Sequence, residues 1–122
     1  PTSYTALYTT ERILTDRPDI MLAMTRAIYR TQKWVHGHDA ATIVATIARF
    51  FPDLVADTLT ACIARYKAGG LWSRDPILPR GGFERLKVAC LSGGLIERGA
   101  DYADCIDTSL ARTVIESDPP SM

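Results

Sequence analysis

Four segments of this 122-residue sequence carry apolar residues at three- and four-residue spacing, each closed by a glycine or a proline. That period belongs to a helix with one buried face, not to a strand. The first segment is the longest. Asp16 can cap it, Pro18 is tolerated in a first turn, and Asp19 completes a box-like start. Ile20, Met24, Ala27, Ile28, Thr31, Trp34 and Val35 then share a face, and Gly37 is free to take a left-handed cap after His36. Such a helix spans roughly 30 Å.

Asp39 is the expected cap of a second helix with Ile43, Val44, Ile47, Phe50 and Phe51 inside and Pro52 as its stop. Asp53 is the expected cap of a third, whose face is Leu54, Val55, Leu59, Cys62, Ile63 and Tyr66 and whose stop is Gly69-Gly70. Residues 71–82 read as a turn-rich connector anchored by Trp72 and Ile77. A fourth helix carries Phe83, Leu86, Cys90 and Leu91 and stops at Gly93-Gly94. One or two short helical pieces start at Asp101 or Asp107 and carry Ile106, Leu110, Val114 and Ile115.

Before these segments, Tyr4 to Tyr8 (YTALY) favours a strand by its tyrosines and threonine, and Thr9 to Leu14 a short helical turn. A five-residue strand makes no sheet alone, so its partners would lie elsewhere. The expected fold is mainly α: about five helices plus a short N-terminal strand. Residues 1–15 form a strand and hinge-like return segment, 16–116 the helical region and 117–122 a flexible tail.

Fourteen basic residues balance fourteen acidic ones, so no strong field draws in nucleic acid or an anionic membrane. No apolar run approaches a membrane span. The chain starts at Pro1 without a signal-peptide pattern, which suggests a processed product or an excised piece. Cys62, Cys90 and Cys105 form no zinc pattern; Cys62 and Cys90 are expected in the core, and a disulfide stays open.

The sharpest local question is KWVHGHDA, residues 33–40, which holds both histidines. His36 and His38 are two apart and do not share a helix face, and a metal site needs further ligands. A helix end, a glycine cap and an aspartate cap explain the stretch better, and no metal or cofactor is expected. Arg26, Arg30 and Lys33 share a face that suits an acidic partner or plain solvent. Trp34 and Trp72 read as core anchors. Glu11 and Arg12 follow the strand-like segment, where ligand contacts often occur, but no second catalytic group accompanies them. The paired glycines match no phosphate-cradling pattern, and no nucleophile or metalloprotease motif is present. The expectation is a protein that is not an enzyme.

The order of these pieces resembles the C-terminal part of the ABC-transporter solute-binding proteins of the nitrate, sulfonate, taurine and thiamine-precursor family. The matching positions are Arg17-Pro18-Asp19, Trp34-Val35, Phe51-Pro52-Asp53, Trp72, Gly94-Leu95-Ile96, Tyr102, Asp104, Ile106-Asp107 and Ser109. HGHD and the GGF that opens the fourth helix depart from the family pattern. The resemblance covers nearly the whole chain. It implies the helical portion of a two-lobed α/β periplasmic binding protein (type II), which passes a small ligand to an ABC permease without chemistry. The ligand would be a thiamine precursor, sulfonate, nitrate or similar compound, and the parent would be periplasmic. Tyr8 and Thr9, where the chain returns between lobes, are the implied ligand-binding residues. Enzymatic relatives use a histidine from a region absent here, which His36 does not match. The competing reading is a stand-alone helical interaction or ligand-sensing domain.

Helix faces shaped to cover a sheet outside this chain would leave apolar surface open. The isolated chain is therefore expected to form a homo-oligomer. Sedimentation velocity across a concentration series should show a dimer or larger species; a monomer at high concentration would count against it.

Overall fold

The computed structural model describes residues 2–122. The chain is mainly α. Its helices are α1 (Glu11–Asp16), α2 (Pro18–Gly37), α3 (Ala40–Ile47), α4 (Ala56–Ala68), α5 (Arg80–Ser92), α6 (Tyr102–Cys105) and α7 (Ser109–Glu116). A single 3₁₀ turn, Ala48–Phe50, follows α3. No strand forms among the described residues, which corrects the expected N-terminal strand. Residues 2–10 form neither helix nor strand, and Ser3 N–H donates to Gly82 O at 3.3 Å. A single segment has no second strand here to complete a ladder. The N-terminal segment lies close over the start of α5: a Cβ on Gly82 would stand 2.2 Å from Ser3 Oγ and 2.9 Å from Ser3 N.

Helix punctuation follows the sequence at most ends. Thr10 Oγ1 accepts from Ile13 N–H at the start of α1, and Asp39 Oδ1 accepts from Thr42 N–H at 2.8 Å at the start of α3. Both glycine pairs close their helices in the same way. Gly70 and Gly94 take φ of 65° and 68°, and the N–H groups of Leu71 and Leu95 reach back to Tyr66 O and Cys90 O. This is the six-to-one bond of a Schellman stop, with glycine where a Cβ would be strained. Three caps differ from expectation: Gly37 is the last residue of α2 and takes no positive φ, so His38 holds the cap position there. Asp16 ends α1 and Arg17 takes the cap position of α2, because a separate turn of helix uses residues 11–16. Val55, not Asp53, precedes α4, because the turn after Pro52 takes up Asp53 and Leu54.

Packing divides into two regions joined by α2. α7 lies along α2, where Met21, Ala111 and Val114 are buried, and Val114 is 0% exposed. α3 packs on α4 through Ile43, Val44, Leu59 and Ile63, and Trp34, Val35 and Trp72 close over that cluster. Both tryptophans are thus core anchors, and Trp72 meets Tyr66 edge-on with ring centroids 6.0 Å apart.

Several expected interior residues lie outside. Ile20, Met24 and Ile28 are exposed, because α7 takes the neighbouring face of α2 at Met21. Phe50 and Phe51 are exposed because α3 gives way to the 3₁₀ turn at Ala48. Leu54 and Val55 are exposed ahead of α4. Cys62 is exposed, which corrects its core assignment: α4 meets α3 through Leu59 and Ile63, and position 62 falls off that line. Cys90 is half-buried, Cys105 is exposed, and all three cysteines are free thiols.

The accessible surface is 8967 Å². A compact monomer of this length exposes about 6,500 Å², so the excess is about 2,500 Å². No helix among the described residues is long and apolar enough to cross a membrane.

The two packed regions predict two sensitive positions. Val114→Ala should cost about 1–3 kcal/mol by loosening α7 from α2, and Ile63→Ala about 2–5 kcal/mol by opening the α3–α4 contact. Urea unfolding followed by circular dichroism checks both, with exposed Cys62→Ala within about 0.5 kcal/mol of the parent as the control.

Candidate functional site

The HGHD stretch occupies a helix junction. α2 ends at Gly37, His38 is its cap and Asp39 begins α3. The His38 ring stacks on Trp34 at 4.6 Å, and His38 Nδ1 lies 2.8 Å from Trp34 O. His36 Nε2 lies 3.1 Å from Ser73 O, so the two rings serve different neighbours. Lys67 on α4 completes the junction: its ammonium donates to Val35 O at 2.5 Å and also to His38 O. A cation thus sits on the open carbonyls of α2, where the helix dipole favours it. The Thr42 N–H holds the Asp39 carboxyl below its ordinary value, with smaller help from the Thr42 hydroxyl and the charges of His38 and Lys67. The junction is built to turn the chain.

A larger opening lies where the N-terminal segment meets the end of the chain. A cleft of about 730 Å³ runs between the start of α1 and the α6–α7 corner. Thr9 and Glu11 line one side; Asp104, Asp107 and Arg112 line the other. Thr10 sets the near wall by capping α1, which places Glu11 in its first turn. The far wall is set by α6, whose Tyr102 hydroxyl donates to Leu78 O at 2.5 Å and whose ring meets Phe83 edge-on. Asp107 Oδ1 accepts from Ser109 N–H at 2.7 Å and so turns the chain into α7. The Ser109 hydroxyl and then its N–H hold the Asp107 carboxyl below the usual value. Arg112 Nε donates to Thr108 Oγ1 at 3.2 Å, which aligns its guanidinium along the cleft wall.

Chemically the cleft offers three carboxylates, one guanidinium, several hydroxyls and the Cys105 thiol. Such a lining offers hydrogen-bond donors and acceptors and charges of both signs. Of the two residues expected to meet ligand between lobes, Thr9 lines this cleft and Tyr8 does not; Tyr8 is 95% exposed. Glu11, noted in the sequence as a residue in a ligand-prone place, is in the wall, whereas Arg12 is outside it. Asp104 and Ser109, read in the sequence only as pattern positions, and Asp107, read also as a possible helix start, prove to be lining residues, and Arg112 drew no attention there. Its only signal was a charge one turn into the last amphipathic helix.

The basic face of α2 has a further neighbour. Lys33 pairs with Asp118, Lys33 Nζ donates to Pro119 O at 2.9 Å, and Arg30 Nε donates to Pro120 O at 3.0 Å. Pro119 is buried, so the C-terminal residues lie against this helix.

Asp39 yields a pH prediction. Its depressed pKa makes the cap's contribution complete above the ordinary carboxyl value of 3.8 and lost as pH falls through the lower folded value. Asp39→Ala should lower Tm by a few degrees at neutral pH, and the gap from the parent should close below that range in thermal melts.

No family model matches the chain, and no solved structure matches it. The chain is similar to the curated Bacillus subtilis (strain 168) protein named "Putative binding protein YtlA", with 29% identity over 111 residues. That alignment covers 91% of this chain and 33% of the relative, so the chain spans about a third of the length of the curated relative it matches.

Proposed function

We propose that this chain is the C-terminal helical part of a solute-binding protein that captures a small polar or heteroaromatic ligand for an ABC importer. The observation that carries the reading is the similarity of nearly the whole chain to a third of a protein named as a binding protein. The large excess of accessible surface supports it, because faces such as Ile20, Met24 and Ile28 suit the inner side of a larger body. The ordered motifs from Arg17-Pro18-Asp19 to Ser109 support the nitrate, sulfonate, taurine and thiamine-precursor group as the kind of receptor.

On this reading the remaining chain supplies a sheet and a second lobe, and the parent works in the periplasm. The ligand is held by hydrogen bonds and aromatic contacts as the lobes close, and no bond is made or broken. The cleft beside Thr9 is the part of the ligand-facing surface contributed by this chain. Thr9 and Arg112 supply a hydroxyl and a charge, and Tyr8 meets ligand or the second lobe. Delivery to a membrane permease follows release. As an isolated chain it self-associates through the same open apolar faces.

A thermal-shift screen of the full-length parent against thiamine precursors, sulfonates, nitrate and aromatic acids tests the reading. A ligand far above its Kd should stabilise the parent by ~2–4 kcal/mol. Thr9→Ala and Arg112→Gln should each reduce that stabilisation while leaving the unliganded Tm within a few degrees. A parent reading frame without roughly 200 further residues of βα pattern would overturn the assignment.

A further inference from the structure

A second opening, separate from the cleft at Thr9, lies between α2 and the C-terminal segment. It has a volume of about 360 Å³ and is lined by Arg26, Arg30, Ser117, Pro119 and Pro120. Arg26 and Arg30 stand one turn apart, so their guanidinium groups lie on the same face of α2. Like charges at that spacing repel unless an anion lies between them. The third cation of this face, Lys33, has its carboxylate in Asp118. Arg26 and Arg30 have none: the lining contains no acidic residue, and neither arginine forms an ion pair among the described residues.

The recess is also organised. Arg30 spends only Nε on Pro120 O, which fixes the plane of its guanidinium and leaves both terminal nitrogens as donors. The chain reaches that position by reversing at Asp118, whose φ is 38°, and burying Pro119. Three carbonyls near the C-terminal end of α7 are hydrogen-bonded. Ser117 N–H and Asp118 N–H donate to Thr113 O and Ile115 O, and the Ser117 hydroxyl donates to Val114 O.

We propose that this recess binds a phosphate dianion, free or carried as a small monoester, between the guanidinium groups of Arg26 and Arg30. Two planar donor forks match the charge and the oxygens of a phosphate better than a single carboxylate. The volume exceeds that of inorganic phosphate, and the rings of Pro119 and Pro120 offer an apolar wall to an ester substituent. Pro120 acts as a positioning residue through Arg30, and Lys33 holds the wall through Asp118.

The test is calorimetric titration of the 122-residue chain with inorganic phosphate and with methyl phosphate, ionic strength being held with chloride. Saturable binding that chloride does not reproduce is expected. Arg26→Gln and Arg30→Gln should each weaken it by about tenfold, the usual scale for a charged hydrogen bond. Arg26→Lys, which keeps the charge and loses the fork, should fall between, and Arg49→Gln on the exposed 3₁₀ turn, which lines neither opening, should bind as the parent does. Circular dichroism confirms that each variant keeps its helices. Binding of methyl phosphate at least as tight as that of inorganic phosphate supports the monoester, and the reverse supports the free ion. Absence of saturable binding, or equal affinity in Arg26→Gln and Arg26→Lys and the parent, overturns the site.

Discussion

The structure depends on α2 having neighbours at both ends. Its first half packs on α7 around Met21 and Val114, and its second half brings Trp34 and Val35 to the α3–α4 cluster. The two packed regions are small: the buried apolar residues are Met21, Ile43, Val44, Leu59, Ile63, Ala111 and Val114. A continuous helix transmits position from one region to the other because its hydrogen-bonded backbone is stiff over the roughly 30 Å involved. The junction at its C-terminus matters for the same reason. Lys67 on the terminal carbonyls, Gly37 at the stop and Asp39 at the next start fix the angle at which α3 leaves.

What surrounds this spine is thin. The apolar edge at Ile20, Met24 and Ile28, the aromatic pair Phe50 and Phe51, and Tyr4 to Tyr8 all meet solvent. About 2,500 Å² of surface beyond that of a compact monomer is of the size that large protein interfaces bury. The apolar stripe of α2 is only partly covered: Met21 is buried beside α7, whereas Ile20, Met24 and Ile28 are exposed.

The two recesses differ in how they are made. The cleft at Thr9 arises where four short elements end near each other, and its polar groups are largely cap and turn residues with spare acceptors. The recess at Arg26 and Arg30 arises because a proline-rich C-terminal segment folds back onto a basic helix face. The sequence showed that face, and an acidic partner was one of its two readings. The partner for Lys33 is the chain's own Asp118, 85 positions away. No periodicity connects those two residues, which is why the 117–122 segment read as a tail.

Helix positions, most stops and the core tryptophans could be read from the chain directly, since caps, glycine stops and three-four spacing act within a few residues. Asp39, Gly70, Gly94, Trp34 and Trp72 do what their local pattern implies. Which part of an apolar stripe is covered could not be read. Met21 lies inside and Ile20, Met24 and Ile28 outside because of where α7 docks, and Cys62 is exposed because α4 rolls onto Leu59 and Ile63. The YTALY segment has strand propensity but no strand beside it, so it stays unpaired. Local hydrogen bonds select an element within a turn or two of sequence, whereas burial and cleft formation depend on contacts between elements distant in the chain, and only the assembled fold specifies those.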